Sequence, residues 1–128
     1  MMKTFVITGA NTGIGKVAAI ELAKRGNRVI LACRSREKTQ PVLDAIGDQA
    51  EFVELDLGDL ASVRRCAEAL KGRQIDVLVN NAGLAGHRGT TKDGFEIQFG
   101  TNHLGHYLLT RLLLDQIGER VVNVASGS

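Results

Sequence analysis

The sequence is poor in proline, cysteine and net charge, and each shortage excludes a class of protein. A single proline, Pro41, in 128 residues excludes a proline-rich linker. The two cysteines, Cys33 and Cys66, lie far apart, one in a predicted strand and one in a predicted helix. We interpret them as reduced core thiols of a cytosolic protein. A net charge of +2 is too small to indicate nucleic acid or an anionic membrane as partner.

Long hydrophobic runs are also missing from the sequence. No apolar run is long enough to span a bilayer, so no membrane segment is predicted. The first ten residues, MMKTFVITGA, run directly into an apparent core strand, and we therefore expect no cleavable signal. Together with the reduced cysteines, these features predict a cytoplasmic location.

The residues that are present favour one packed α/β domain. Hydrophobic residues make up 44% of the chain, and fifteen glycines indicate many tight turns. Apolar β-branched runs predict strands at 5–7, 28–33, 52–55, 77–79 and 121–125. Segments of helical period, with their capping residues, predict helices at 14–24, 35–46, 59–70 and 92–114. Pro41 lies too deep for an ideal first turn, so the second helix is expected to start late or bend.

The alternation of strands and helices predicts the topology. Such an order is typical of a parallel sheet that is covered by helices on both faces. Right-handed crossovers then favour a Rossmann-like doubly wound sheet of about five strands in the order 3-2-1-4-5. No linker divides the chain, so residues 1–128 are expected to form a single domain.

Gly9, Gly13 and Gly15 line the predicted turn between the first strand and the first helix. Their spacing is G-x-x-x-G-x-G rather than the more familiar G-x-G-x-x-G. At such a turn a dinucleotide pyrophosphate can rest on free N–H groups at the helix N-terminus. A side chain at Gly13 would block the approach of phosphate, and Gly15 would allow the helix to pack tightly on the sheet. For the glycines alone, a tight turn without a ligand is the alternative.

Four further features fall at the carboxyl ends of predicted strands, where open α/β sheets bind ligands. Arg34 follows the second strand, where an arginine accommodates the 2′-phosphate of NADP and an acidic residue would bind a free 2′-hydroxyl instead. Asp56 follows the third strand, where a carboxylate could accept from the adenine amino group. VNNAG (79–83) closes the fourth strand, and NVASGS (123–128) closes the fifth.

Four motifs together resemble the short-chain dehydrogenase/reductase family, in family order and spacing. They are TGANTGIG (8–15), NNAG (80–83), NHLGHYLLT (102–110) and VVNVAS (121–126). ACR (32–34) and TNHLGH (101–106) most resemble the branch of retinol dehydrogenases and protochlorophyllide reductases. The resemblance covers the whole chain and implies an NAD(P)-dependent oxidoreductase that acts on alcohols and carbonyls.

The resemblance also implies a set of cofactor-binding residues in one Rossmann dinucleotide-binding domain, incomplete relative to the family. Arg34 would favour NADP(H) while NAD(H) stays possible, Asp56 and Leu57 would flank the adenine, and Asn80 would support the fourth strand. The residues expected to bind the cofactor are Gly9, Thr12, Gly13, Ile14, Gly15, Arg34, Asp56, Leu57, Asn81, Ala82 and Gly83.

Two residues match catalytic positions of the family. Asn102 matches the asparagine that helps to hold a proton-relay water, and Ser126 matches the serine that hydrogen-bonds the substrate oxygen. The family's Tyr-x-x-x-Lys acid/base pair, which follows the serine, does not occur among residues 1–128. The only tyrosine, Tyr107, lies within a predicted helix, and Arg111 after it would not titrate to assist it. We therefore expect these 128 residues to be inactive alone.

Three hypotheses for the chain follow. The first is the cofactor-binding part of an NADP(H)-dependent oxidoreductase with a small alcohol or carbonyl substrate. The second is a stand-alone NADP(H)-binding or sensing module. The third is a truncated product that associates through an exposed fifth strand and the 92–114 helix, which could also support a homo-oligomer.

Two features could be mistaken for metal or acid–base sites. His103 and His106 lie three residues apart, but neither cysteine nor carboxylate accompanies them at ligand spacing, so no metal site is predicted. They are expected to flank a helix packing surface. Asp59 lies near Asp56 but is better explained as the N-cap of the third helix.

Overall fold

The computed structural model describes residues 2–10, 13–81 and 104–124. In chain order, the strands β1 to β5 are Thr4–Thr8, Arg28–Cys33, Ala50–Glu54, Ile75–Asn80 and Ile117–Asn123. The helices α1 to α4 of the described residues are Gly13–Lys24, Arg36–Ile46, Leu60–Ala69 and His106–Leu113. A 3-10 turn, Leu114–Gln116, joins α4 to β5.

The five strands form one parallel sheet in the order β3-β2-β1-β4-β5, which confirms the predicted topology. β1 lies at the centre, where Val6 pairs with Ile30 of β2 on one side and Leu78 of β4 on the other. All strands run the same way, so their carboxyl ends meet at one edge of the sheet. That edge carries the glycine turn after β1.

Two hydrophobic clusters cover the two faces of the sheet. Successive side chains of a strand point to opposite faces, so Val6 belongs to the first cluster and Ile7 to the second. α3 and α4 contribute to the first cluster, for example through Val63 and Leu109, and α1 contributes Ala19 to the second. Burial on both faces explains why β2 is a nearly continuous apolar run.

The two cysteines lie in different clusters. Cys33 is buried in the second cluster and Cys66 in the first, so the sheet separates them, and neither takes part in a disulfide. Burial raises the pKa of the Cys66 thiol to about 12. A thiol in such surroundings stays protonated and unreactive at neutral pH. The interpretation of both residues as reduced core thiols is confirmed.

The predicted N-caps of α2 and α3 are confirmed, but the prediction that α2 starts late is wrong. The Ser35 hydroxyl accepts the Lys38 N–H at 3.2 Å, and α2 begins at once at Arg36. Pro41 lies inside the helix, where its missing N–H leaves the carbonyl of Glu37 without its usual partner. Pro41 and Glu37 are exposed, so water can bind the Glu37 carbonyl. The Ser35 cap fixes the start of α2. The expected bend stays a prediction.

Asp59 caps α3 in the same way, and its carboxylate accepts the Ala61 N–H at 3.0 Å.

β5 begins four residues earlier than predicted, at Ile117 rather than Val121. Gly118, Glu119 and Arg120 carry no apolar signal because they are exposed at the edge of the sheet. Backbone pairing with β4 nevertheless makes this stretch a strand, with a register irregularity between Ile75 and Val77. Similarly, β3 begins at Ala50 and β4 at Ile75, each two residues before the predicted start.

The predicted 92–114 helix is described only in its last part. α4 runs from His106 to Leu113, and residues 92–103 lie outside the described residues. In the part of the chain that the structure describes, no helix is both long and apolar enough to cross a membrane.

Candidate nucleotide-binding site

The glycine turn lies between the central strand and α1, as predicted. β1 ends at Thr8 and α1 begins at Gly13. Gly9 has φ of 64° and Gly13 has φ of 58°, a left-handed conformation that other residues rarely adopt. The Gly9 N–H donates to the Ala32 carbonyl at 3.0 Å. The turn therefore starts in register with β2 and is placed by the sheet itself.

Gly15 allows α1 to pack against the ends of β1 and β4. A Cβ atom at this position would overlap the side-chain nitrogen of Asn81 and lie 2.8 Å from the Gly9 carbonyl oxygen. The second contact is with backbone, which cannot move aside as a flexible side chain can. The sequence-based role of Gly15 in close helix–sheet packing is therefore supported by the geometry of its neighbours.

Gly13 lies beside open space at the N-terminus of α1. Among the described residues, no heavy atom lies within 4 Å of a Cβ atom built on Gly13. The first turn of α1 contains no acidic residue, so no carboxylate of that turn competes for its N–H groups. Ile14, the next residue, is 69% exposed. An accessible helix N-terminus without a local anion fits a phosphate group.

Asn81 joins the end of β4 to the glycine turn. Its backbone N–H donates to the Thr8 hydroxyl at 2.7 Å, and its side-chain Nδ2 donates to the Gly9 carbonyl at 3.3 Å. The structure thus brings together three sequence-predicted site residues, Gly9, Gly15 and Asn81. The Gly9 carbonyl oxygen accepts from the Asn81 side chain. The N–H groups at the start of α1 lie on the other side of the turn, where a ligand could bind.

Arg34 is an exposed cation immediately after β2. Within residues 2–10, 13–81 and 104–124, its guanidinium forms no ion pair. In contrast, Arg28 and Arg73 both bind the Glu51 carboxylate, at 3.1 Å and 2.8 Å. The hydrogen bond from Arg73 lowers the pKa of Glu51 below its ordinary value. Arg34 therefore differs from these arginines in having its charge available at the ligand-binding edge.

Asp56 and Leu57 follow β3 at the same edge. The Asp56 carboxylate accepts the Gly58 N–H at 2.9 Å, and the Asp56 N–H donates to the Ser62 hydroxyl at 2.9 Å. The Leu57 side chain packs in the first hydrophobic cluster. A Cβ atom on Gly105, just before α4, would overlap the Leu57 carbonyl oxygen. The absence of a side chain at Gly105 thus allows α4 to approach the segment after β3.

Asn80 supports β4, as the sequence predicts. Its Nδ2 donates to Asn123 Oδ1 of β5 at 2.9 Å and to Thr110 Oγ1 of α4 at 3.2 Å. Its backbone carbonyl accepts the Val124 N–H at 3.0 Å. Its Oδ1 atom is buried without a hydrogen-bond partner. One amide side chain therefore joins two strands and a helix next to the site.

The sequence-based interpretation missed the contact that His106 makes. This residue is buried at the start of α4, and its Nε2 lies 3.1 Å from the Thr8 hydroxyl. His106, Leu109 and Leu113 are the buried residues of α4, spaced at three and four. That helical period can be read from the sequence. It places His106 on the buried face of α4 rather than beside that face.

Several sequence-predicted residues cannot be placed. Those that lie outside the described residues are Thr12, Ala82, Gly83, His103, Asn102 and Ser126. Their roles stay predictions. Among the described residues, no group of three or more His, Cys, Asp or Glu side chains could hold a metal ion.

Comparison with known proteins identifies the family. Residues 3–128 match the family of short chain dehydrogenases. The chain belongs to the short-chain dehydrogenase/reductase family. It is similar to human retinol dehydrogenase 13, with 45% identity over an alignment of 136 residues. The alignment covers 97% of this chain and 41% of that protein. The chain therefore spans less than half the length of this relative, and the resemblance to the retinol-dehydrogenase branch is confirmed.

Solved structures of the family share the fold. A crystal structure of an uncharacterized protein from Mycobacterium paratuberculosis is 52% identical with a TM-score of 0.89, over 98% of this chain and 46% of that chain. A Brucella melitensis 3-ketoacyl-(acyl-carrier-protein) reductase complexed with NADH is 35% identical with a TM-score of 0.80, and the match covers 97% of this chain and 57% of that chain. A Burkholderia multivorans short-chain dehydrogenase/reductase with bound NADP is 25% identical with a TM-score of 0.82, and the match covers 98% of this chain and 59% of that chain.

Proposed function

We propose that this chain is the cofactor-binding part of an NADP(H)-dependent short-chain oxidoreductase, which transfers hydride between a nicotinamide and a small alcohol or carbonyl compound. The observation that carries the proposal is the open glycine turn at the N-terminus of α1, with Asn81 bonded across it. Family members solved with NADH or NADP support a nicotinamide cofactor, and the similarity to a retinol dehydrogenase supports an alcohol or carbonyl substrate.

The pyrophosphate would lie on the first turn of α1. Gly13, Ile14 and Gly15 would offer backbone N–H groups there, and the helix dipole favours negative charge. The Gly9 N–H is bonded to the Ala32 carbonyl, so Gly9 would contribute by shaping the turn. Thr12, Ala82 and Gly83 complete the proposed set of cofactor ligands. Gly13 would contribute by the absence of a side chain, because the space beside it is open.

NADP(H) rather than NAD(H) is the proposed cofactor because of Arg34. The residue lies two positions after Ala32, whose carbonyl accepts the first N–H of the glycine turn. Its exposed guanidinium is uncommitted among the described residues and can form charge-assisted hydrogen bonds with a 2′-phosphate. Asp56, at the end of β3, would accept from the adenine amino group, and Leu57 would lie beside it.

The reaction itself needs more residues than the cofactor site. The bound nicotinamide would supply or accept the hydride. We propose that Ser126 holds the substrate oxygen and that Asn102 supports a proton-relay water. No Tyr-x-x-x-Lys pair follows Ser126 among the 128 residues, so this polypeptide alone is expected to bind nucleotide without turnover.

A stand-alone NADP(H)-binding or sensing module is the second candidate. The observation in its favour is that the turn, Asn81 and Arg34 are assembled within one sheet that has clusters on both faces. Tight binding by the 128-residue polypeptide would favour this candidate, and weak binding would favour the enzyme part. For the cellular location we propose the cytoplasm, supported by two buried thiols that are reduced.

The test is isothermal calorimetry of the purified chain with NADPH and with NADH. We expect saturable binding that is tighter for NADPH. Gly13→Val should abolish it, because a branched side chain would occupy the space at the helix N-terminus. Absence of binding to both nucleotides would contradict the proposal.

Gly26→Val is the matched control for Gly13→Val. Gly26 also has a positive φ, of 90°, and among the described residues it too has no heavy atom within 4 Å of a built Cβ atom, but it lies beyond the far end of α1. Both substitutions therefore place a β-branched residue at a positive φ. Only a role of Gly13 in nucleotide binding predicts that the two variants differ in affinity.

A further inference from the structure

The Thr8 hydroxyl connects three elements at the centre of the nucleotide site. Oγ1 accepts the Asn81 N–H at 2.7 Å and lies 3.1 Å from Nε2 of His106, while the Val79 carbonyl oxygen is 3.5 Å away. Thr8 is fully buried, and His106 is nearly so. This hydroxyl therefore joins β1, the end of β4 and the start of α4 away from solvent.

The contacts of the Thr8 hydroxyl hold its side chain in one orientation. The Asn81 N–H can only donate, so Oγ1 accepts from it. The hydroxyl donates to the Val79 carbonyl at 3.5 Å, and Nε2 of His106 lies 3.1 Å from Oγ1. His106 therefore helps to hold Oγ1 where it accepts from Asn81.

Asn81 transmits this orientation to the glycine turn. Its side chain donates to the Gly9 carbonyl and lies where a Cβ atom of Gly15 would be. A Thr8 hydroxyl that turned away would leave the Asn81 N–H without its acceptor, and an unmade hydrogen bond in a buried region is costly. Movement of Asn81 would then change the turn on which the nucleotide rests.

We propose that His106 is a positioning residue of the nucleotide site, which acts through the Thr8 hydroxyl on Asn81. The proposal rests on the proposed function, because nucleotide affinity is its first measure. His106 itself need not touch the nucleotide.

Two amide substitutions that differ only in reach test the proposal. In His106→Gln the amide reaches the position of Nε2, whereas in His106→Asn it ends near the position of Nδ1. We expect the Gln variant to bind NADPH within about twofold of the unmodified chain and the Asn variant to bind about tenfold more weakly. Tyr107→Phe, an exposed neighbour on α4, is the control and should bind normally. Equal affinities of the Gln and Asn variants would overturn the proposal.

A double-mutant cycle separates action through Thr8 from a general packing role. In a Thr8→Val chain the hydroxyl is already gone, so adding His106→Asn should cause no further loss of affinity. Losses that simply add would overturn the proposal.

A spectroscopic readout works even where a folded variant does not bind nucleotide. The Asn81 amide signal in ¹⁵N-correlated NMR should shift in His106→Asn but not in Tyr107→Phe, and an unchanged signal in His106→Asn would overturn the positioning role. A chain that binds neither nucleotide contradicts the proposed function, whereas the Asn81 signal still tests His106.

Discussion

The side-chain nitrogen of Asn81 donates to the carbonyl oxygen of Gly9 across 3.3 Å, and this bond lies directly over Gly15. The end of β4 and the turn after β1 are therefore one unit, not two neighbouring loops. The bond occupies the carbonyl side of the turn. The N–H side, at the start of α1, remains for an anion.

Gly15→Ala tests this close packing. The new Cβ atom would meet the Gly9 carbonyl oxygen at 2.8 Å and overlap the Asn81 side chain. We expect a loss of about 1–3 kcal/mol in the free energy of unfolding, typical of overpacking, and weaker NADPH binding. Chemical denaturation measures the first and calorimetry the second. Lys16→Ala, an exposed neighbour, should leave both unchanged. A Gly15→Ala chain as stable as the unmodified chain would show that α1 can move away from the sheet without cost.

Arg34→Ala tests the choice of cofactor. Loss of a charge-assisted contact with the 2′-phosphate should weaken NADPH binding by about 1–3 kcal/mol. NADH has no such phosphate, so its affinity should change little. Arg36→Ala is the control, because Arg36 is two residues away and its guanidinium lies over the Phe52 ring at 5.6 Å. Equal losses for NADPH and NADH would show that Arg34 does not bind the 2′-phosphate.

Glu51→Gln tests the ion pairs at the start of β2 and β3. The hydrogen bond from Arg73 holds the pKa of Glu51 below its ordinary value of 4.5, so the stabilisation is fully present above pH 4.5. It is lost as the pH falls through the lower folded-state pKa. The carboxylate is partly exposed, so we expect a difference of only about 0.5–1 kcal/mol at pH 7, and less at acid pH.

Denaturation of the unmodified and Glu51→Gln chains at several pH values measures this difference. Glu68→Gln, on the exposed face of α3, is the control for removal of a carboxylate that forms no ion pair with another described residue. A difference between the chains that stayed constant from neutral to acid pH would contradict ionic stabilisation by Glu51.

Most of the fold could be predicted from the sequence because its signals are local. β2 was predicted with its observed bounds, since it is buried on both faces, and Ser35 and Asp59 are side chains that mark helix starts by themselves. The first half of β5 could not be predicted, because Gly118 to Arg120 form a strand through pairing with β4 and not through any pattern of their own. The late start expected from Pro41 is wrong because the Ser35 cap starts α2 at Arg36, and water can replace the bond that Pro41 removes on an exposed face.

The site was predictable where backbone geometry requires glycine and less so where side chains meet across the sheet. The glycine spacing predicted a turn between β1 and α1, and Gly9 and Gly13 have positive φ values in that turn. The contact between His106 and Thr8 joins residues that are far apart in sequence. Only the tertiary arrangement of α4 over β1 brings them together, although the helical period of α4 already indicated an inward-facing His106.

The position of β1 at the centre of the sheet has a consequence for how the chain acquires its site during synthesis. β1 can pair with β2 early, but its other neighbour, β4, emerges from the ribosome only after α2, β3 and α3. Until Asn80 and Asn81 have been translated, the Thr8 hydroxyl lacks Asn81 as its donor and Gly9 lacks its amide partner. Contacts between such distant segments close late because they carry the largest entropic cost of loop closure. The nascent chain therefore possesses the glycine motif long before it possesses the contacts that complete the proposed nucleotide site.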